Sequence, residues 1–230
     1  MKPSATFKQI SQLLMDSWIS GADGGHPEEV YGPVDDLLRP HMALLVVDTS
    51  SVASDSFRMD FIKRYELPTG FESMKRLQQP FSFADFPDRR FLCEVVAPAN
   101  VAAAERQHPV IDYVAATVLD VWMAYDRLVL PQKNSVARSN WCISLIGIHI
   151  LLPAKARVQG LDDSDLAILQ LLAEGMLVKE IGNAMNLSPR TIEHRVERLK
   201  SAFGARNIPH LVSLSIASGI SKAEAWPTRG

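Results

Sequence analysis

Apolar residues recur at helical spacing at the start of the chain, at strand spacing through its middle, and at helical spacing again towards its end. From Ser4 to Trp18, Phe7, Ile10, Leu13, Leu14 and Trp18 line one side of an expected amphipathic helix. The polar, glycine-rich stretch "SGADGGHPEEVYG" ends it. "ALLVVDT" is a short apolar run, and "SFRMDFIKRY" alternates. Phe57, Met59 and Phe61 share one side, with Arg58, Asp60 and Lys63 mostly on the other, the period of a half-buried strand. Phe83 to Gln107, with Phe86, Phe91, Leu92, Val95 and an alanine-rich run, is more consistent with helix. Three further runs, "PVIDYVAATV", "VWMAYDRLVLP" and "WCISLIGIHILLP", look like strands. The last two are joined by the polar "QKNSVARSN", which suggests a hairpin. Early strands, a helical middle and a closing antiparallel group predict an α+β domain.

Beyond Pro153 the pattern changes. "AKARVQG" is short, polar and basic, a plausible linker, and Leu161 to Gly219 looks entirely helical. The expected organisation is an N-terminal helix at 1–22, an α+β domain at 23–153, a linker at 154–160, a helical domain at 161–220 and a frayed tail at 221–230.

In the helical domain, Asp162 precedes an apolar-periodic run and Asp165 lies three residues on, an acidic variant of the capping box. Ile168, Leu169 and Leu172 point inward, and Gly175 is a natural stop. A short helix over Val178 to Met185 turns Ile181, Ala184 and Met185 inward, although Leu177 at its start is no conventional cap. After "NLS", Ser188 is a good N-cap and Pro189 a good first residue. On a helical wheel Ile192, Val196, Leu199 and Phe203 form one buried stripe. Arg190, His194, Glu197 and Ser201 lie nearly opposite, Thr191, Arg195 and Arg198 on one flank, Glu193 and Lys200 on the other. Two short helices joined by a tight turn make a helix-turn-helix.

The residues carry the reading further. "LDDSDLAILQLLAEGMLVKEIGNAMNLSPRTIEHRVERLKSAFGARN" resembles the LuxR-type (GerE-like) DNA-binding domain through its whole length, in Leu161, "LLAEG", "KEI", "LS" before "RTIE", and "FGARN". The resemblance implies four helices, the third entering the major groove of double-stranded DNA, and homodimers that often pair through the fourth, here about Ile208 to Ser218. The implied DNA-binding residues are Lys179, Ser188, Arg190, Thr191, Glu193, His194, Arg195, Glu197, Arg198 and Lys200. Lys179, Thr191, Arg198 and Lys200 suit phosphate, and His194 suits a base edge. The departures are Glu193 where the family commonly has Lys, Arg195 where it has His, Leu177 where Ser or Thr is usual, and Ser164 where Arg is usual. A carboxylate beside phosphates is repelled unless it accepts from a cytosine amine, so Glu193 points to altered sequence preference.

Composition sets limits. The chain has 230 residues, 47% hydrophobic and 22% charged, with net charge −2, which argues against coating nucleic acid by bulk positive charge but leaves room for a local patch. From Arg190 to Arg206 the basic residues 190, 195, 198, 200 and 206 outnumber Glu193 and Glu197. No signal peptide and no membrane-length apolar run is evident, so a cytoplasmic protein is expected, with Cys93 and Cys142 as reduced thiols or, alternatively, a redox switch. No phosphate-cradling loop, nucleophile motif or metal-spaced His/Cys cluster is evident, and the histidines at 26, 41, 108, 149, 194 and 210 are scattered, so neither an enzyme nor a metal site is expected.

The middle domain has no convincing phospho-acceptor Asp of a receiver, and Trp18 and Tyr31 are not at the spacing of acyl-homoserine-lactone sensors. Its order of strands, helices and three closing strands resembles a PAS-like sensor. That resemblance implies a small-molecule ligand between sheet and helices, or a dimerising module; no cofactor is assigned. Inward candidates for ligand contact are Phe57, Met59, Phe61, Tyr113, Trp122, Trp141, Ile143 and Leu145. The reading is a one-component transcription regulator, with RNA polymerase as a further partner if it activates. The alternative is that its N-terminal domain docks a protein partner.

Overall fold

A computed structural model describes residues 5–68, 71–135, 137–154, 158 and 160–218. The overall class is α+β, with an N-terminal antiparallel sheet and C-terminal helices. Two compact units separate at Leu119/Asp120, Trp122/Met123 and Leu151/Leu152. Of the expected linker, residues 155–157 and 159 lie outside the described residues, as does the tail at 221–230.

The first unit opens with α1 (Phe7–Ser20). Thr6 caps it: its hydroxyl accepts from the Gln9 N–H at 3.3 Å, and Gln9 Oε1 accepts from the Thr6 N–H at 2.8 Å. Ile10 and Leu14 are buried, whereas Leu13, placed on the same stripe by spacing, is exposed. The glycine-rich stretch folds into α2 (Pro27–Tyr31) and a 3-10 turn (Gly32–Leu37), which bring Val30, Val34 and Leu38 into the same core.

The strands are β1 (Met42–Asp48), β2 (Arg58–Lys63) and the two-residue β3 (Phe81–Ser82). The helical middle starts later than its composition suggests. Phe83–Asp85 is a 3-10 turn, and the helix begins with α3 (Arg89–Phe91), capped by Asp88, whose Oδ1 accepts from the Phe91 N–H at 3.0 Å. It passes through a π turn (Leu92–Val96) into α4 (Ala97–Arg106). The closing strands are β4 (Val110–Val118), β5 (Val121–Pro131) and β6 (Trp141–Pro153). The sheet order is β3-β2-β1-β6-β5-β4, so first and last strands meet at its centre, Leu44 opposite Leu145 and Leu45 opposite Ser144.

Both faces of this sheet are covered. Met42, Leu44, Leu128, Leu130, Ile143 and Leu145 pack with Ile10 and Leu14 of α1. The alternate residues, among them Leu45, Tyr125, Arg127 and Ser144, line a cleft together with Phe91, Val96 and Asn100 of the helical run. Strand alternation therefore decides, residue by residue, which side chains can reach a ligand in that cleft.

The second unit holds α5 (Asp163–Ala173), α6 (Val178–Met185), α7 (Pro189–Phe203) and α8 (Ile208–Ala217). Its core joins Ile168, Leu169, Leu172, Ile181, Ile192, Val196, Leu199, Phe203, Leu211 and Leu214. Ala184, placed inward by spacing, is exposed, and Gly182 is buried instead. A Cβ on Gly182 would lie 2.9 Å from the Leu187 carbonyl oxygen, so only glycine lets the turn between α6 and α7 close this tightly.

Candidate functional site

The polar face of α7 begins at its cap. Ser188 Oγ accepts from the Thr191 N–H at 3.1 Å and lies 2.8 Å from Thr191 Oγ1, so both hydroxyls belong to the helix start. Leu177, at the start of α6, has no side-chain acceptor; Glu180 reaches back instead and takes the Leu177 N–H at 2.7 Å.

With Ile192, Val196, Leu199 and Phe203 buried, Arg190, Thr191, Glu193, His194 and Glu197 are exposed on the rest of α7. Lys179 is exposed on α6. Among the described residues the side chains of Lys179, Arg190 and His194 have no hydrogen bond or ion pair. Lys200 differs: its Nζ lies 2.8 and 3.0 Å from the two carboxylate oxygens of Glu197.

Arg195 and Arg198 are placed differently again. Arg195 Nη1 donates to Asp162 Oδ2 and Asp165 Oδ1, each at 2.9 Å, and Arg198 Nη2 donates to Asp165 Oδ2. Asp165 has no exposed surface, and its Oδ2 also accepts from the Asp162 N–H at 3.2 Å. The hydrogen bonds to Asp162 and Asp165 hold the Arg195 guanidinium above its ordinary pKa. The same contact with Arg195 holds the Asp162 carboxyl below the usual carboxylate value. Two carboxylates and two guanidiniums thus cancel, and this flank of α7 ties it to the start of α5. Spacing alone shows the acidic cap and the basic flank, but not that they meet.

In the first unit the cleft is small, with a cavity volume of about 40 Å³. Of the inward candidates, Met59 and Phe61 line it. Phe57 is buried but packs edge-on against Phe83, with ring centroids 5.6 Å apart. Ile143 and Leu145 belong to the core under α1, where Trp141 is half-buried and donates from Nε1 to the Gly25 carbonyl at 3.2 Å. Tyr113 is 62% exposed, so its assignment as an inward residue is corrected: β4 turns its other side to the helices. Trp122 is half-buried, is not among the cleft-lining side chains, and falls with the second unit.

Polar residues of the cleft had no sequence signal. Arg127, nearly buried, donates from Nε and Nη2 to Asp112 at 2.9 and 2.6 Å and from Nη1 to the Val95 carbonyl at 2.8 Å. Burial pushes the Tyr125 hydroxyl up to about 12. Of the cysteines, Cys93 is exposed, whereas Cys142 is buried and its thiol is pushed up to about 12 by that burial, which makes it a poor nucleophile. Among the described residues no helix is long and apolar enough to cross a membrane.

Residues 161–215 match the family described as "Bacterial regulatory proteins, luxR family". This stretch is a LuxR-type helix-turn-helix domain. The chain is 31% identical over 65 residues to the transcriptional regulatory protein FixJ of Rhizobium meliloti, covering 28% of this chain and 32% of that protein. It is 30% identical over 73 residues to FixJ of Azorhizobium caulinodans, covering 31% and 35%. The chain thus spans about a third of the length of these relatives. Among solved structures, VqmA of Vibrio cholerae is 16% identical with a TM-score of 0.30, covering 79% of this chain and 85% of that one. SdiA of Escherichia coli is 12% identical with a TM-score of 0.30, covering 94% and 99%.

Proposed function

We propose that this chain is a one-component transcription regulator, not an enzyme. Its LuxR-type domain binds promoter DNA as part of a homodimer, and its sheet unit senses a small molecule. The observation that carries the reading is α7: its apolar stripe is buried while Arg190, Glu193 and His194 stand exposed on the other side, their side chains without a partner among the described residues. An exposed helix face of that composition, opposite a packed stripe, is what a major groove admits. Lys179, Arg190, Ser188 and Thr191 position the domain on phosphates, with His194 and Glu193 at base edges. Arg195 and Arg198 brace α7 against α5 and add little net charge, because Asp162 and Asp165 neutralise them. Lys200 reaches phosphate by exchanging its partner Glu197.

The signal acts by population shift: a ligand that binds one arrangement of the dimer more tightly favours it over the other. RNA polymerase is a partner if the protein activates. Fluorescence anisotropy with the DNA upstream of its own gene tests the reading. Binding should weaken steeply with salt, as phosphate contacts release counterions. Salt-insensitive binding, or none with or without a small-molecule extract, counts against it.

A further inference from the structure

Most polar side chains on the outer face of α7 are already satisfied within the domain. The Ser188 and Thr191 hydroxyls lie 2.8 Å apart, and Ser201 Oγ donates to the Glu197 carbonyl at 3.0 Å. Arg195 and Arg198 are held by Asp162 and Asp165, and the Glu197 carboxylate by Lys200. Among the described residues, three exposed polar side chains of α7 remain without a partner: Arg190, Glu193 and His194. Of these only Glu193 accepts and never donates. Arg190 stands three residues before it, a spacing at which opposite charges on a helix can meet, yet the two are not paired. Glu193 therefore keeps its whole accepting capacity for whatever α7 meets.

A carboxylate carried into a DNA groove loses water and is repelled by the phosphates on either side. Only a donor on a base edge offsets that cost. In the major groove guanine presents N7 and O6, and thymine presents O4, all of them acceptors that repel a carboxylate. Adenine presents an N6 amine, but beside its own N7 acceptor. Cytosine presents its N4 amine with no acceptor on the same base edge.

We infer that Glu193 is a specificity-determining residue that selects cytosine, its carboxylate accepting from the N4 amine at one position of each half-site. This rests on the reading of α7 as the helix that enters the groove, and adds the base required there. Arg190, not engaged by Glu193, stays available to a phosphate.

The test selects sites from randomised duplexes with the full chain. Fluorescence anisotropy then measures binding with each base pair at each selected position. One position should favour cytosine about tenfold over the other bases. Glu193→Ala should lose that preference alone, and Glu193→Gln should move it to adenine, whose N6 and N7 suit an amide. A methyl group on N4 of that cytosine replaces the N–H that faces the groove. It should weaken binding by the natural chain about tenfold and leave Glu193→Ala unaffected. Glu193 is exposed, so both variants should keep the fold, which circular dichroism checks. If Glu193→Ala binds every sequence more tightly with its preferences unchanged, the carboxylate only repels phosphate and the inference is overturned. A Glu193-dependent preference for another base, or indifference to the N4 methyl, overturns it as well. All of these results keep the regulator reading, because salt-sensitive binding persists in them. A natural chain that shows no salt-sensitive binding overturns both.

Discussion

Arg198 of α7 donates to the carboxylate of Asp165, a residue with no exposed surface on α5, and Arg195 holds the other oxygen at 2.9 Å. Asp165 thus closes the capping box of its own helix and anchors a second helix at once. Removing it leaves two guanidiniums without their shared partner and uncaps the Asp162 N–H. Asp165→Ala should therefore destabilise the helical unit by about 2 kcal/mol, the cost of unpairing buried hydrogen-bonded groups. Hydrogen exchange of α5 and α7 amides reads this directly; unchanged protection would mean that the network contributes nothing.

The partner Asp162 gives the same network a pH signature. Its contact with Arg195, and then with the Asp165 N–H, holds its carboxyl below its ordinary value of 3.8. A carboxyl that is harder to protonate when folded adds stability that is fully present above 3.8. That contribution is lost as the pH falls through the lower folded value. Asp162→Asn should therefore melt earlier than the natural chain near neutral pH, and the gap should close in acid. Because Asp162 is exposed, added salt should narrow the gap as well. A gap that persists unchanged into acid would show that Arg195 does not act through this charge.

What could be read from the sequence was local. The caps at Asp162 and Ser188 and the stripe of Ile192, Val196, Leu199 and Phe203 depend on residues within a few positions of each other, and they fold as their spacing says. The pairing of Asp165 with Arg198 spans 33 residues and leaves no periodic trace. The cleft is harder still. Alternation along β6 separates Ile143 and Leu145 from Ser144, but both sheet faces are covered, so polarity does not reveal which face lies under α1 and which under the helical run. Asn100 sits in an alanine-rich stretch where nothing marks it, and a buried Arg127 becomes intelligible only beside Asp112.

The tight turn between α6 and α7 sets two effects against each other. Gly182→Ala gains about 1 kcal/mol of helix propensity. It also places a Cβ 2.9 Å from the Leu187 carbonyl oxygen, a backbone atom that cannot swing aside. Overpacking of that kind costs roughly 1–3 kcal/mol, so the clash should win and the variant should be less stable. A lowered thermal midpoint with weaker binding to DNA is the expected pair of results. A raised midpoint would mean that the turn opens freely.

The outer face of the LuxR-type domain separates its cations by whether they have partners, and that gives the sharpest test of the DNA reading. Lys179 is exposed and its ammonium has no partner among the described residues, so Lys179→Ala should weaken binding to all sequences and reduce the salt slope by about 1. Arg198 is paired with Asp165, so Arg198→Ala should change the slope less while lowering the stability of the helical unit. His194→Ala should leave the slope near its natural value and change the ranking of sites that differ at a single base pair, by about tenfold for the preferred base. These outcomes follow from one distinction: a charge already satisfied within the fold has little left to give a phosphate, whereas an exposed, unpaired one retains it. Equal loss of slope in Lys179→Ala and Arg198→Ala would show that Arg198 leaves Asp165 when DNA binds. The contact between α5 and α7 would then be a brake released by DNA rather than a permanent brace.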